Sequence, residues 1–146
     1  MNPPPHSAPH HEHDEKETGR VEAFSDGVLA IAITLLALEL KVPPPSGDPG
    51  FSLARELLDQ WPTYFAFLVS FFFILVIWIN HHRLFTVIRR IDNNLLIFNG
   101  LLLMSITLIP FVTDLVATYL QRPEQNIAAM VYAGLFLVNS FCFNLL

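Results

Sequence analysis

Charged side chains are scarce in this chain: Asp, Glu, Lys and Arg together make up only 14% of its 146 residues. A soluble domain carries about 25% of these residues. So low a share argues against a globular surface that faces water on all sides. Hydrophobic residues instead make up 53% of the chain, which includes 13 Phe. This composition is typical of a protein that contacts lipid.

Basic residues and cysteine are also few. The net charge of -5 argues against a nucleic-acid partner, because binding to phosphates needs a basic face. Cys142 is the only cysteine, which excludes a disulfide within the chain and names no compartment. The N terminus lacks the basic start and short apolar core of a cleavable signal peptide. We therefore expect the first hydrophobic helix to direct insertion.

Residues 1–19 have too few apolar residues to bury, so we predict a disordered tail there. Residues 20–146 form the predicted membrane domain, because uncharged runs of about 20 residues can span the hydrocarbon core. The fold class is an all-α integral membrane protein, a bundle of four transmembrane helices in which Pro110 kinks the third. The predicted helices cover residues 20–41, 61–80, 93–115 and 126–146.

Two segments outside these helices leave alternatives open. Residues 51–60 carry Leu53, Leu57 and Leu58 on one side, so they either lie on the membrane surface or lead into the second helix. The chain stops at Leu146 inside an uncharged run, whereas a membrane helix normally ends in polar residues. We expect further helices in the complete protein. The alternative is a four-helix protein whose C terminus lies at the interface.

Lysine and arginine near the helix ends indicate the orientation. Five of them lie on the side of the N terminus and three on the other side: Lys16, Arg20, Arg83, Arg89 and Arg90 against Lys41, Arg55 and Arg122. The positive-inside rule therefore places the N terminus, with its tail, in the cytoplasm.

The first helix carries charges at membrane depth, among them Asp26 near its start and Glu39 near its end. Such charges are costly in a membrane and indicate a functional role by default. Arg20 lies too far along and around the helix to pair with Asp26 as a simple neighbour. Each therefore needs partners from other helices. The candidates at the same level, which donate through ring or amide N–H groups, are Trp78, Asn80, His81, His82, Asn93, Asn94 and Asn99.

We predict that these polar groups form a hydrogen-bonded cluster that ties three helices together. One interpretation is a fixed foundation for a pore helix, and the other is ordinary hydrogen bonding between the helices of a membrane bundle. The two interpretations are compatible.

An apolar stripe follows along the same helix. Ile31, Leu35 and Leu38 share one face, with Thr34 beside them. Such a stripe most often contacts lipid or a protein core. Because this one lies between charged ends, it can also line a narrow conduit, where rings of branched side chains form a hydrophobic constriction.

Several of these residues stand in a known pattern. Arg20-x-x-x-Phe24-Ser25-Asp26 at the start of the first helix resembles the RxxxFSD signature of the transmembrane protein 175 potassium channels. Residues 27–43 are similar to the rest of that family's first helix. Agreement in the second and third helices lies in Trp78-x-x-His81, Leu84-Phe85, Asn94, Asn99 and Pro110-Phe111. The resemblance covers about residues 20–120.

The resemblance implies an all-helical channel without a TVGYG filter loop. Bacterial members have six helices per subunit and assemble as tetramers around four copies of the first helix, so this chain departs from them in lacking the fifth and sixth. Ile31, Leu35 and Leu38 would form the pore layers, with Thr34 as a polar contributor. A second set of residues would be structural: Arg20, Phe24, Ser25 and Asp26, held by Trp78, His81 and Asn99.

The leading hypothesis is a potassium-selective channel in the inner membrane of a bacterium, a homo-oligomer expected to be a tetramer. A proton- or cation-coupled transporter is the alternative, because Asp26 and His81 lie at membrane depth. A hydrolase is disfavoured: Ser25 and Asp26 point about 100° apart on a helix, and nothing suggests an oxyanion hole. We expect no enzyme activity, no haem or other cofactor, and no metal beyond permeating potassium.

Overall fold

The computed structural model describes residues 9–48, 50–88 and 91–146, with side chains from residue 17 onward. These residues form six α-helices, and none of them lies in a strand. The helices are α1 Pro9–Leu36, α2 Leu53–Asp59, α3 Trp61–Val87, α4 Asn93–Thr107, α5 Ile109–Tyr119 and α6 Gln125–Leu145. A short 3₁₀ turn, Ala37–Glu39, follows α1.

Four stretches of helix in the described part of the chain are long and apolar enough to cross a membrane. They are Glu17–Glu39, Trp61–Val87, Asn93–Tyr119 and Gln125–Leu145. The third is made of α4 and α5 together. The predicted class, an all-α integral membrane protein with four spanning helices, is confirmed.

The first helix begins earlier than the sequence predicts. Residues 9–19 were predicted to belong to a disordered tail, but α1 starts at Pro9. A proline suits the first turn of a helix, and extending an existing helix costs far less than nucleating one. A lack of apolar residues therefore does not prevent helix formation beside a spanning segment. The rest of the predicted tail, residues 1–8, lies outside the described residues, as do Arg89 and Arg90.

Prolines set two further boundaries. α1 was predicted to reach residue 41, but it ends at Leu36 and tightens into the 3₁₀ turn ahead of Pro43. The third span was predicted as one kinked helix over residues 93–115. It is instead two helices that break at Leu108, because Pro110 lacks the N–H that would continue the ladder.

Polar residues extend α3 and separate it from α2. α3 continues to Val87, beyond the predicted end at residue 80, since His81 and His82 find hydrogen-bond partners on other helices. α2 is a short helix of its own, separated from α3 by Gln60. Asp92 caps α4, and its Oδ1 accepts from the Leu95 N–H at 2.8 Å.

The hydrophobic core lies between α1, α3, α4, α5 and α6. Its buried members are Leu29, Ala32, Leu36, Ile74, Ile77, Leu102, Leu103, Ile106, Ile109 and Cys142. On α1 they recur every three or four residues, so one face of this helix is buried along its length. The rings of Phe73 and Phe136 stack with centroids 3.9 Å apart and pack α6 onto α3.

Buried hydroxyl groups add polar links between the same helices. The Ser70 Oγ on α3 lies 2.6 Å from the Thr113 Oγ1 on α5 and 2.9 Å from the Tyr132 hydroxyl on α6. The Ser105 Oγ on α4 donates to the Asn139 Oδ1 on α6 at 3.0 Å. Within a bilayer such groups must be satisfied inside the protein, so these links fix the helices in one arrangement.

The Ser70→Ala substitution tests this role. It removes both interhelical contacts of the Ser70 hydroxyl and should lower stability by about 0.6 to 1.7 kcal/mol, the average and the maximum found for hydrogen bonds between membrane helices. Thermal unfolding in detergent measures the change. Ser140→Ala, which alters an exposed serine on α6, is the matched control. Equal melting temperatures for wild type and Ser70→Ala would contradict the prediction.

Candidate functional site

The two faces of α1 differ sharply in exposure. Ser25, Leu29, Ala32 and Leu36 are fully buried or nearly so. The apolar side chains about 120° further around the helix are exposed: Phe24 is 65% exposed, Ile31 60%, Leu35 41% and Leu38 70%. This exposed stripe consists of Phe24, Ile31, Leu35 and Leu38, and it contains the three apolar residues singled out from the sequence. The helix therefore turns its buried face to its own subunit and leaves the stripe free for another contact.

Thr34 lies beside the stripe and is also exposed. Its Oγ1 donates to the Ile31 carbonyl oxygen at 2.9 Å. A threonine hydroxyl has one proton and two lone pairs, so the proton is used within the helix. Thr34 can then present only acceptor lone pairs to anything that approaches this face.

A series of buried hydrogen bonds holds the N-terminal half of α1. The Asn99 Nδ2 on α4 donates to the Ser25 Oγ at 2.9 Å, and this hydroxyl donates to the Val21 carbonyl at 2.9 Å. The Asn99 Oδ1 lies 3.0 Å from the Nε2 of His81 on α3. Ser25, His81 and Asn99 are each at least 97% buried, so α1, α3 and α4 are joined out of reach of water.

The direction of donation along these hydrogen bonds fixes the tautomer of His81. The Asn99 amide nitrogen donates to Ser25, so its oxygen must face His81 as an acceptor. The His81 Nε2 therefore carries the ring proton. The Nδ1 of His81 is buried and has no hydrogen-bond partner among the described atoms. The ring stacks on Phe85, with centroids 4.5 Å apart.

Two acid–ring contacts form a ladder between α1 and α3. The Trp78 Nε1 donates to the Asp26 Oδ1 at 2.9 Å, and the His82 Nδ1 lies 2.8 Å from the Glu22 Oε1. The acids are four residues apart on α1 and the rings four apart on α3, so both pairs lie on facing sides of the helices. The Trp78 and His82 rings stack with centroids 6.0 Å apart.

Arg20 and Phe24 lie outside this network, which differs from the prediction that Trp78, His81 and Asn99 hold them. Both are exposed on the stripe side of α1, since Arg20 is only about 20° around the helix from Ile31. Together with Leu96 and Leu103 of α4 they line a hollow of about 510 Å³. Of the other predicted donors, Asn80, Asn93 and Asn94 are exposed.

Sequence reasoning missed two pairings. Glu22 with His82 could have been found, because the acids and the rings are each four residues apart on their helices. The second pairing lies just after the C-terminal end of α1. There the Lys41 Nζ lies 3.5 Å from the Asp114 Oδ1 and 3.9 Å from the Glu39 Oε2. No local pattern joins residues 41 and 114. Among the described side chains, no three His, Cys, Asp or Glu residues are arranged to hold a metal ion.

The fold and this site define an integral membrane protein whose first helix is pinned on one face and carries an exposed apolar stripe on the other. The chain belongs to the TMEM175 family. The family model described as the endosomal/lysosomal potassium channel TMEM175 matches residues 20–110.

Similar proteins carry potassium channel names. The chain is 53% identical over 131 residues to a protein of Chamaesiphon minutus named a potassium channel, covering 90% of this chain and 64% of that one. It is 44% identical to a protein of Streptomyces collinus with the same kind of name, covering 89% and 63%. The chain thus spans slightly less than two thirds of the length of these relatives.

A solved structure matches the fold. It is the crystal structure of a lysosomal potassium-selective channel TMEM175 homolog from Chamaesiphon minutus, with a TM-score of 0.85 and 54% identity. The match covers 88% of this chain and 69% of that chain.

The Asn99→Leu substitution tests the series of buried hydrogen bonds. It leaves Ser25 and His81 without their partner in a site closed to water, so it should destabilise the protein by about 1 to 3 kcal/mol. Thermal unfolding in detergent is the measurement. Asn94→Leu changes an exposed asparagine on the same helix and should have little effect. Comparable losses in the two variants would show that burial of the Asn99 network does not matter.

Proposed function

We propose that this protein is a potassium-selective cation channel whose first helix lines the pore. The observation that carries the proposal is the orientation of α1. Its N-terminal half is bonded to α3 and α4, while Ile31, Leu35 and Leu38 remain exposed on a separate face. Membership of the TMEM175 family and the potassium channel names of the bacterial relatives support it.

The proposed constriction is short and dry. Ile31 and Leu38 are seven residues apart, a rise of about 10 Å along α1. Copies of these side chains around a common axis would exclude bulk water and close the pore by dewetting. An ion must shed part of its hydration shell to pass, and K⁺ releases water at lower cost than Na⁺. A hydrophobic neck alone therefore favours K⁺.

Thr34 would add a polar group to this neck. Because its proton is bound to the Ile31 carbonyl, its oxygen faces outward as an acceptor. An acceptor oxygen can replace part of the lost hydration of a cation, as the carbonyl oxygens of other potassium filters do. We propose that Ile31, Thr34, Leu35 and Leu38 together form the pore and selectivity region.

The hydrogen-bonded residues would act as the foundation of the pore helix. Ser25 and Asp26 are held by Asn99 and Trp78, and His81 orders Asn99. These bonds prevent α1 from rotating about its axis, and rotation would turn the stripe away from the pore. The role of Arg20 and Phe24 would be at the edge of the stripe, where the next subunit approaches.

We further propose a homo-tetramer in the plasma membrane of a bacterium, with the N terminus in the cytoplasm. The tetramer follows from the resemblance to bacterial members of the family, and the orientation from the excess of basic residues on the N-terminal side. The proposed channel is not an enzyme and needs no cofactor. Potassium is its permeant ion, and lipid is its surroundings.

The alternative is a proton- or cation-coupled transporter that uses Asp26 and His81. Both side chains are ionisable and lie within a spanning segment. One polar atom of each, the Asp26 Oδ1 and the His81 Nε2, is engaged in a hydrogen bond to Trp78 or Asn99, however, which favours a structural role.

Reversal potentials test the proposed function. The full-length protein, reconstituted in a planar bilayer with K⁺ on one side and Na⁺ on the other, should pass a passive current that reverses close to the K⁺ equilibrium potential. A reversal potential near zero, or no current, would contradict the proposed potassium channel. A reversal that follows an imposed proton gradient would favour the transporter.

The Ile31→Asn substitution tests the constriction. An amide in the neck should keep it wet, so the current should rise and the K⁺ to Na⁺ permeability ratio should fall towards one. Ile97→Asn is the matched control, because Ile97 on α4 is also 60% exposed in the single subunit. An unchanged ratio in Ile31→Asn would remove Ile31 from the pore.

A further inference from the structure

A small charged cluster stands at the outer end of α1. Lys41 lies between two carboxylates, with its Nζ 3.5 Å from the Asp114 Oδ1 and 3.9 Å from the Glu39 Oε2. Glu39 ends the 3₁₀ turn after α1, and Asp114 lies on α5. Among the described residues, the Lys41–Asp114 contact is the one ion pair that joins this end of α1 to another helix.

The cluster adjoins the outermost residue of the exposed stripe. Leu38 lies in the 3₁₀ turn and is 70% exposed, so packing within its own subunit holds it weakly. On one side of it, Leu36 is fully buried in the core. On the other side, residues 41–48 have no regular structure, and Lys41 is the first of them. Leu38 is therefore held through its neighbours along the chain: Leu36 is buried before it, and after it come the Lys41 contact and the buried Pro43.

We infer that Asp114, acting through Lys41, is a positioning residue that holds the outer end of the pore helix and sets the place of Leu38 in the constriction. This inference rests on the proposed function. The N-terminal half of α1 is tied to α3 and α4, and this pair ties the outer end to α5, so the stripe is fixed at both ends. Glu39 gives Lys41 a second carboxylate contact.

The same charges also act on ions directly, and the two effects can be separated. A fixed charge at a pore mouth raises or lowers the local concentration of every monovalent cation by the same factor. It therefore changes the conductance but not the K⁺ to Na⁺ permeability ratio. A displaced Leu38 changes the shape of the neck, and so it changes the ratio.

Two neutralising substitutions distinguish the positioning of Leu38 from the direct effect of charge on the ions. Lys41→Gln makes the mouth more negative and Asp114→Asn makes it less negative, yet both break the same contact. If the pair positions Leu38, both variants lower the permeability ratio in the same direction. An exposed ion pair changes an equilibrium between two positions by about twofold to fivefold, so we expect the ratio to fall by about twofold.

The experiment measures reversal potentials of the full-length protein in planar bilayers under K⁺/Na⁺ gradients. The charge-exchanged variant, Lys41→Asp with Asp114→Lys, should restore the wild-type ratio because it rebuilds the contact. Arg55→Gln removes another exposed cation outside the cluster and should leave the ratio unchanged. If Asp114→Asn does not assemble, Lys41→Gln and the exchanged variant still decide the question.

The outcomes for this inference and for the proposed function are distinct. Wild-type protein without potassium preference would defeat the channel itself. In a second outcome, the wild type is selective, and Lys41→Gln and Asp114→Asn leave the K⁺ to Na⁺ permeability ratio unchanged while their conductances move in opposite directions. This result would show only an effect of charge on ion concentration and would overturn the positioning role. Failure of the exchanged variant to restore a lowered ratio would overturn it as well.

Discussion

The structure depends on one constraint: a polar side chain inside a membrane bundle must find its partner within the protein. Ser25, His81 and Asn99 meet this constraint together, at distances of 2.9 and 3.0 Å, where three helices cross. Because the three side chains come from α1, α3 and α4, their hydrogen bonds fix the rotation of α1 against the other two helices. The apolar stripe is exposed as a consequence of where the polar face is bound.

The rotation of α1 connects the packing to the proposed ion permeation. Buried Leu29, Ala32 and Leu36 fill the core of the subunit, so the side chains of the stripe have no partner within it. Contact with further copies of the same helix would cover this stripe, which is the arrangement that the proposed channel requires.

The sequence predicts a helix well where the length of an uncharged run sets its bounds, as in residues 126–146. It predicts poorly where contacts with other helices set the bounds. The start of α1 at Pro9 was missed because apolar content says little about helix propagation. Pro110 predicted a kink, while the break lies at Leu108. The bonding of Asp26 to Trp78 follows from matching polar groups by depth. The contact of Lys41 with Asp114 does not, since it arises only when α5 packs beside the end of α1.

Cross-linking tests most directly whether the stripe faces a shared axis. In a Cys142→Ser background, which removes the only native cysteine, single Ile31→Cys and Ile97→Cys variants would be oxidised in native membranes. The account predicts covalent dimers through position 31 and none through position 97, although both side chains are 60% exposed in one subunit. An Ile31→Cys variant that forms no covalent dimer on oxidation would contradict it.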